Sequence, residues 1–209
     1  MCYQIFRKII FLFLLATSTI SFAQRIKIDK KKLEFLKNET KVGVKLTFPR
    51  DMTFFRDQMT ENEFIAYMQK RRNTKKSSKG TEWLEAYKIA KRTTWQDDFL
   101  SGINVELTKY SDLKFTNSDD ETNYLLIIEG DWLYPGYGGG ASVAREEAKL
   151  EVTLKFVKTS DPQSILYSTT TPKIIGNYAY GEFGTILRTG ECYKKLGYLL
   201  NLQLKRVLK

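Results

Sequence analysis

Residues 148 to 156 alternate without a break: Ala148, Leu150, Val152, Leu154 and Phe156 are apolar, and Lys149, Glu151, Thr153 and Lys155 are polar. A strict period of two can only be satisfied by an extended strand with one face in the core and the other in water. Upstream, Tyr124 to Trp132 (YLLIIEGDW) is a short apolar run bounded by polar residues, which reads as a strand covered on both faces and as the centre of a sheet. Downstream, the turn TSDPQS leads to Ile165 to Thr170, the expected hairpin partner, and a further extended piece includes Ile174 and Ile175.

Helical periodicity frames these strands. Val42, Val44, Leu46 and Phe48 mark a first strand that Pro49 closes. Thr60 and Glu63 then form a capping box ahead of Phe64, Ile65 and Met68, which predicts a helix to about Arg71. Trp83, Leu84, Tyr87 and Ala90, followed by Trp95, Phe99, Ile103 and Leu107, predict two more helices, continuous with a kink near Thr93, where Thr93 and Gln96 read as a second capping box. Tyr193, Leu196, Leu200, Leu204 and Val207 make the apolar stripe of a C-terminal helix. The order is that of a single α/β (α+β) domain over residues 41–209, a mixed sheet with an antiparallel meander packed against N-terminal helices and a C-terminal helix.

The first residues carry Arg7 and Lys8, then the apolar core Ile9 to Ala16, then the small-x-small triplet Ser21-Phe22-Ala23. That is the order of a secretory signal peptide cleaved after Ala23, and the apolar stretch is shorter than the roughly 20 residues of a membrane-spanning helix. An exported, periplasmic or secreted protein is expected. Cys2 precedes the apolar core, so it does not occupy the acylated position of a lipoprotein signal. Removing 23 of 209 residues leaves a length suited to one domain with a sizeable core. Residues 24–40, with Lys30, Lys31 and Lys32, read as a polar arm leading into it.

Much familiar chemistry is excluded. The chain has no histidine, which removes Ser-His and Cys-His nucleophile pairs, histidine-bound zinc and the commonest general base. The glycine-rich run YPGYGGGASVAR (residues 134–145) lacks the lysine of a phosphate loop, and a strand follows it in place of a helix. It reads as a turn between strands. Asn117, Asp119, Glu121 and Asn123 resemble half a calcium loop, but Thr122 and Ile128 stand where glycine and the bidentate glutamate belong. Cys192, in helical phase with Leu196, reads as a buried packing residue. Acid-base chemistry would rest on carboxylates: Asp97-Asp98, Asp119-Asp120-Glu121, Asp131 beside Trp132, and Glu146-Glu147. No catalytic residue, cofactor or metal site is assigned.

With 34 Lys and Arg against 24 Asp and Glu, the chain is basic by +10 and suits anionic partners. Its densest cationic stretch is Lys70 to Gly80, with Lys70, Arg71, Arg72, Lys75, Lys76 and Lys79. No aromatic residue interleaves these charges, so the stretch does not read as a nucleic-acid platform. It reads as a solvated, extended linker between helices, and its six cations are the candidate contacts to an anionic surface.

NYLLIIEGDWLYPGYGGG followed by AKLEVTLKFVKTSDPQSILYS resembles the core of a group of uncharacterised exported bacterial envelope domains. Their fold is similar to the periplasmic α/β domains of the CsgG and TolB N-terminal type. The resemblance covers about residues 95 to 208, implies a role in envelope assembly, and transfers no site. The reading of the sequence is therefore a non-enzymatic exported protein with a binding or scaffolding role, its partners envelope proteins or an anionic envelope surface. The alternative is a carboxylate-based hydrolase acting on envelope polysaccharide.

Overall fold

Strand Tyr124–Tyr134 (β4) runs through the middle of a seven-stranded mixed sheet. The computed structural model describes residues 24–55, 58–74, 76–117, 121–138 and 144–209. The expected signal peptide, residues 1–23, lies outside them. The other strands are β1 (Lys41–Thr47), β2 (Thr53–Phe54), β3 (Lys114–Asn117), β5 (Lys149–Lys158), β6 (Asp161–Thr170) and β7 (Ile174–Ile175). Their order is β3-β1-β4-β5-β6, with β2 beside β4 and β7 beside β5.

β1 is parallel to both β3 and β4, whereas β4, β5 and β6 form the expected antiparallel meander. Parallel neighbours need a long crossover, because a tight turn cannot bring the chain back to the same end. Three helices supply it: α1 (Glu61–Asn73), α2 (Lys79–Ile89) and α3 (Trp95–Leu107). α2 and α3 are continuous through one π-helical turn, Ala90–Thr94, close to the expected kink. The Thr60–Glu63 capping box forms. The second does not: Thr93 Oγ1 donates back to the carbonyl of Ile89, and Gln96 reaches Asn117 and the amide of Leu46.

One contiguous core lies between the sheet and the helices. Leu150, Val152, Leu154 and Phe156 of β5 are buried in it as the alternation requires. β4 departs from its expected two-sided cover: Leu126, Ile128 and Leu133 are in the core, but Ile127 and Glu129 are half-buried on the other side. That side carries a polar ladder, in which Lys155 donates to Glu129 (2.7 Å) and Thr153 to Asp131 (2.9 Å). The C-terminal helix α4 (Gly184–Leu208) packs against α3. Gly102 and Gly197 are the contact points: a Cβ at Gly102 would collide with the carbonyl of Lys194, and one at Gly197 would stand 2.7 Å from the amide of Ile103.

Two sequence expectations need correction. Residues 24–40 are not a polar arm, because Ile26, Leu33 and Leu36 are fully buried and Lys31–Asn38 forms a 3-10 helix against the fold. The stretch 70–80 is not an extended linker. Residues 70–73 end α1, Lys79 begins α2, and Asn73 Oδ1 accepts from the amide of Gly80 (2.8 Å), locking the two helices together.

Candidate functional site

The close turn between α1 and α2 directs the basic stretch at one place. Arg71, Arg72, Lys76 and Lys79 line a cleft of about 560 Å³, together with Arg188 and Glu182. Its other walls include Gly136, Tyr137 and Gly138 of the glycine-rich turn, Met68 of α1, and Gly184 and Thr185 at the start of α4. Of the six cations named from the sequence, four therefore converge. Lys70 is exposed and does not line the cleft, and Lys75 lies outside the described residues.

Arg188 is the residue that sequence reasoning missed. It is only 3 % exposed, and its guanidinium donates from Nε to Pro135 O (3.1 Å), from Nη1 to Ala179 O (3.3 Å) and from Nη2 to Gly136 O (3.4 Å). The carbonyls neutralise no charge, and no carboxylate among the described residues pairs with it. Burial pushes its pKa below the ordinary arginine value. A signal was present: Arg188, Cys192, Leu196, Leu200 and Leu204 fall at i, i+4 spacing, so the helical phase put this cation on the buried stripe.

Arg72 stands beside it under similar constraint. Its Nη1 donates to Glu182 O (2.9 Å), and its guanidinium lies 5.9 Å from the Trp83 ring and 5.6 Å from that of Phe183. Its Nε is buried without a hydrogen-bond partner. Burial lowers its pKa first, and the neighbouring charges of Arg71 and Arg188 lower it further, against the pull of Glu182. Two guanidinium groups thus line one cleft, both partly removed from water. Among the described residues the only carboxylate lining the cleft, Glu182, is already paired with Lys79, which also pairs with Glu82.

Behind this cleft stands a frame of packed aromatic rings. Trp83 Nε1 donates to Thr185 Oγ1 (3.2 Å), tying α2 to the first turn of α4. Trp83 stacks on Tyr87, which meets Trp95 edge to face, and Trp95 stacks on Tyr193. The glycine-rich turn is the strand connection expected, with Tyr137 and Glu146 exchanging both backbone hydrogen bonds and Gly136 at φ 64°. It also forms a wall of the cleft. Gly139, Gly140 and residues 141–143 lie outside the described residues.

No protein-family model, curated protein or solved structure matches the chain.

The carboxylates do not gather at the cleft. Asp98 sits between α3 and α4, its pKa raised by burial and by Glu191. Asp131 occupies a bulge in β4, its pKa raised chiefly by burial and held back by the Thr153 hydroxyl. Glu146 accepts from Tyr134 Oη (2.7 Å) and pairs with Lys149. Asp97, Glu121 and Glu147 are exposed or half-buried elsewhere, and Asp119 and Asp120 lie outside the described residues. Among the described residues no group of three or more His, Cys, Asp or Glu could hold a metal ion. The ends of the calcium-like segment serve structure: Asn117 accepts from Gln96, and Asn123 donates to Glu39. A second hollow of about 540 Å³ lies beside Trp132 and Tyr134. Its rings are already met by cations, Lys173 at 4.7 Å and Lys149 at 5.3 Å. Among the described residues no helix is long and apolar enough to cross a membrane.

Proposed function

We propose that the chain is a non-enzymatic binding protein of the bacterial cell envelope, exported with cleavage after Ala23, whose basic cleft holds an anionic group of an envelope component. One observation carries the reading: five cations from α1, the α1–α2 turn, the start of α2 and α4 surround one cleft, and among the described residues its one lining carboxylate is already engaged. Such an arrangement is costly while empty, since like charges repel more strongly as they leave water. An anion offsets that cost, which is how folded proteins favour ligands of opposite sign.

Thermal unfolding at two fixed ionic strengths tests it. Dextran sulfate should raise the melting temperature of residues 24–209 at 0.01 M salt and much less at 0.15 M, because the Debye length falls from about 30 Å to about 8 Å. Neutral dextran should have no effect. A variant with Arg71, Arg72, Lys76 and Lys79 changed to glutamine should lose the response, whereas Lys70→Gln should keep it. An equal response in the fourfold variant would contradict the reading.

A further inference from the structure

We infer that the anionic group taken by the cleft is a phosphomonoester in its dianionic form; this rests on the proposal that the cleft binds anions at all. Charge and shape both favour it. With Lys79 and Glu182 paired, Arg71, Arg72, Lys76 and Arg188 are four positive charges with no further carboxylate among the described lining residues. A carboxylate brings one negative charge, whereas a phosphomonoester brings close to two at neutral pH. A carboxylate is planar and is best matched by one guanidinium fork. Here the cations come from three separate segments, which suits a group that presents three acceptor oxygens in different directions.

Two guanidinium groups stand at the centre of this arrangement. Arg188 has three of its five N–H groups committed to carbonyls, and two remain. Arg72 has one recorded bond and a buried Nε without an acceptor. A buried donor beside a cleft that lacks an acceptor in the protein is one that an anionic ligand can satisfy. The cleft also has room for more than the phosphate: about 560 Å³ falls within the range of small-molecule sites, and the exposed ring of Tyr137 offers apolar surface for an attached organic group.

The absence of histidine makes the inference sharply testable. The charged groups around the cleft are Arg71, Arg72, Lys76, Lys79, Arg188 and Glu182, with Glu82 behind Lys79 and Arg145 against the Tyr178 ring that also meets Arg188. These residue types do not ordinarily change charge between about pH 5.5 and 8. A phosphomonoester does, with its second pKa near about 6. Affinity should therefore follow the ligand's second ionisation.

Calorimetric titration of residues 24–209 at fixed ionic strength, with glycerol phosphate, sulfate and acetate as probes, decides the matter. Glycerol phosphate should bind saturably with one site, about fourfold more tightly at pH 7 than at pH 5.5. Sulfate, whose charge is constant over that range, should bind more weakly and without the pH dependence, and acetate should not bind. Arg72→Gln should weaken glycerol phosphate at least tenfold; if that variant loses its fold, the exposed pair Arg71→Gln and Lys76→Gln should do the same. Vesicles with and without phosphatidic acid separate the sources: binding to phosphatidic acid as well as glycerol phosphate identifies a lipid headgroup, and binding to glycerol phosphate alone a soluble ligand. Sulfate or acetate binding as tightly as glycerol phosphate would overturn the phosphomonoester inference and leave the anion cleft standing. Binding of none of these, together with no response to dextran sulfate, would overturn both.

Discussion

The Nε of Arg188 donates to the carbonyl oxygen of Pro135 at 3.1 Å, joining the C-terminal helix to the start of the glycine-rich turn, one residue beyond the central strand. With the bonds to Gly136 and Ala179, one side chain holds two loops and the cleft wall they form. Lysine keeps the charge but not the fork. Arg188→Lys should therefore lower stability by about 2 kcal/mol, the cost of leaving buried carbonyls short of donors. Urea unfolding with an unchanged m-value would measure it; equal midpoints would show that the fork is dispensable.

Gly102 and Gly197 set two effects against each other. Alanine is favoured over glycine inside a helix by about 1 kcal/mol. A methyl at either position, however, would collide with backbone of the facing helix: Lys194 for Gly102, and Phe99 and Ile103 for Gly197. Backbone cannot turn aside as a side chain can. Gly102→Ala and Gly197→Ala should each destabilise the fold by about 2 kcal/mol net, at the upper end of overpacking costs. Thermal unfolding decides, and a gain in stability would mean that the helices can separate freely.

Cys192 is fully buried, and burial pushes its thiol pKa up to about 12. Since the thiolate is the reactive form, native protein at pH 8 should resist a thiol reagent, and labelling should become fast only in denaturant. Rapid native labelling would place Cys192 outside the core.

Asp98 gives a pH effect of definite sign. Burial and the charge of Glu191 raise its folded pKa above the ordinary 3.8, so the folded state holds a proton that the unfolded state has released. Stability from this group is present below pH 3.8 and is lost as pH rises to the folded value. Asp98→Asn should accordingly be more stable than the parent at pH 7 and lose that advantage below pH 4. Urea midpoints across pH 3 to 7 would show it. A variant that is weaker at pH 7 would mean that the Asp98 charge is paired, by Lys194 above all.

The frame of the fold was legible wherever one period dominated. The alternation of β5, the Thr60–Glu63 box and the α4 stripe each left one solution, and the order of elements implied the meander. β3 was not legible, because KFTN is too short for a period to show and is held by pairing with β1 and by Asn104, which bonds both backbone groups of Phe115. Residues 24–40 misled because Ile26, Leu33 and Leu36 are sparse among lysines, yet three anchors suffice to bury a segment. The basic stretch misled in another way. Composition reports how many charges a segment carries, not where they point, and the direction depends on the Asn73–Gly80 bond and on Glu182, more than a hundred residues away, which holds Arg72 through its carbonyl and Lys79 through its carboxylate.

The central claim is that this one cleft, and not the basic surface at large, receives an anion. Amide chemical-shift mapping of residues 24–209 during titration with inorganic phosphate at constant ionic strength tests it most directly. Saturable shifts at Arg72, Gly136, Gly138, Gly184 and Thr185, with Lys70, Lys149 and Lys173 unmoved, are the predicted result. Unsaturable shifts spread over the exposed lysines, or shifts centred on the hollow beside Trp132, would contradict it.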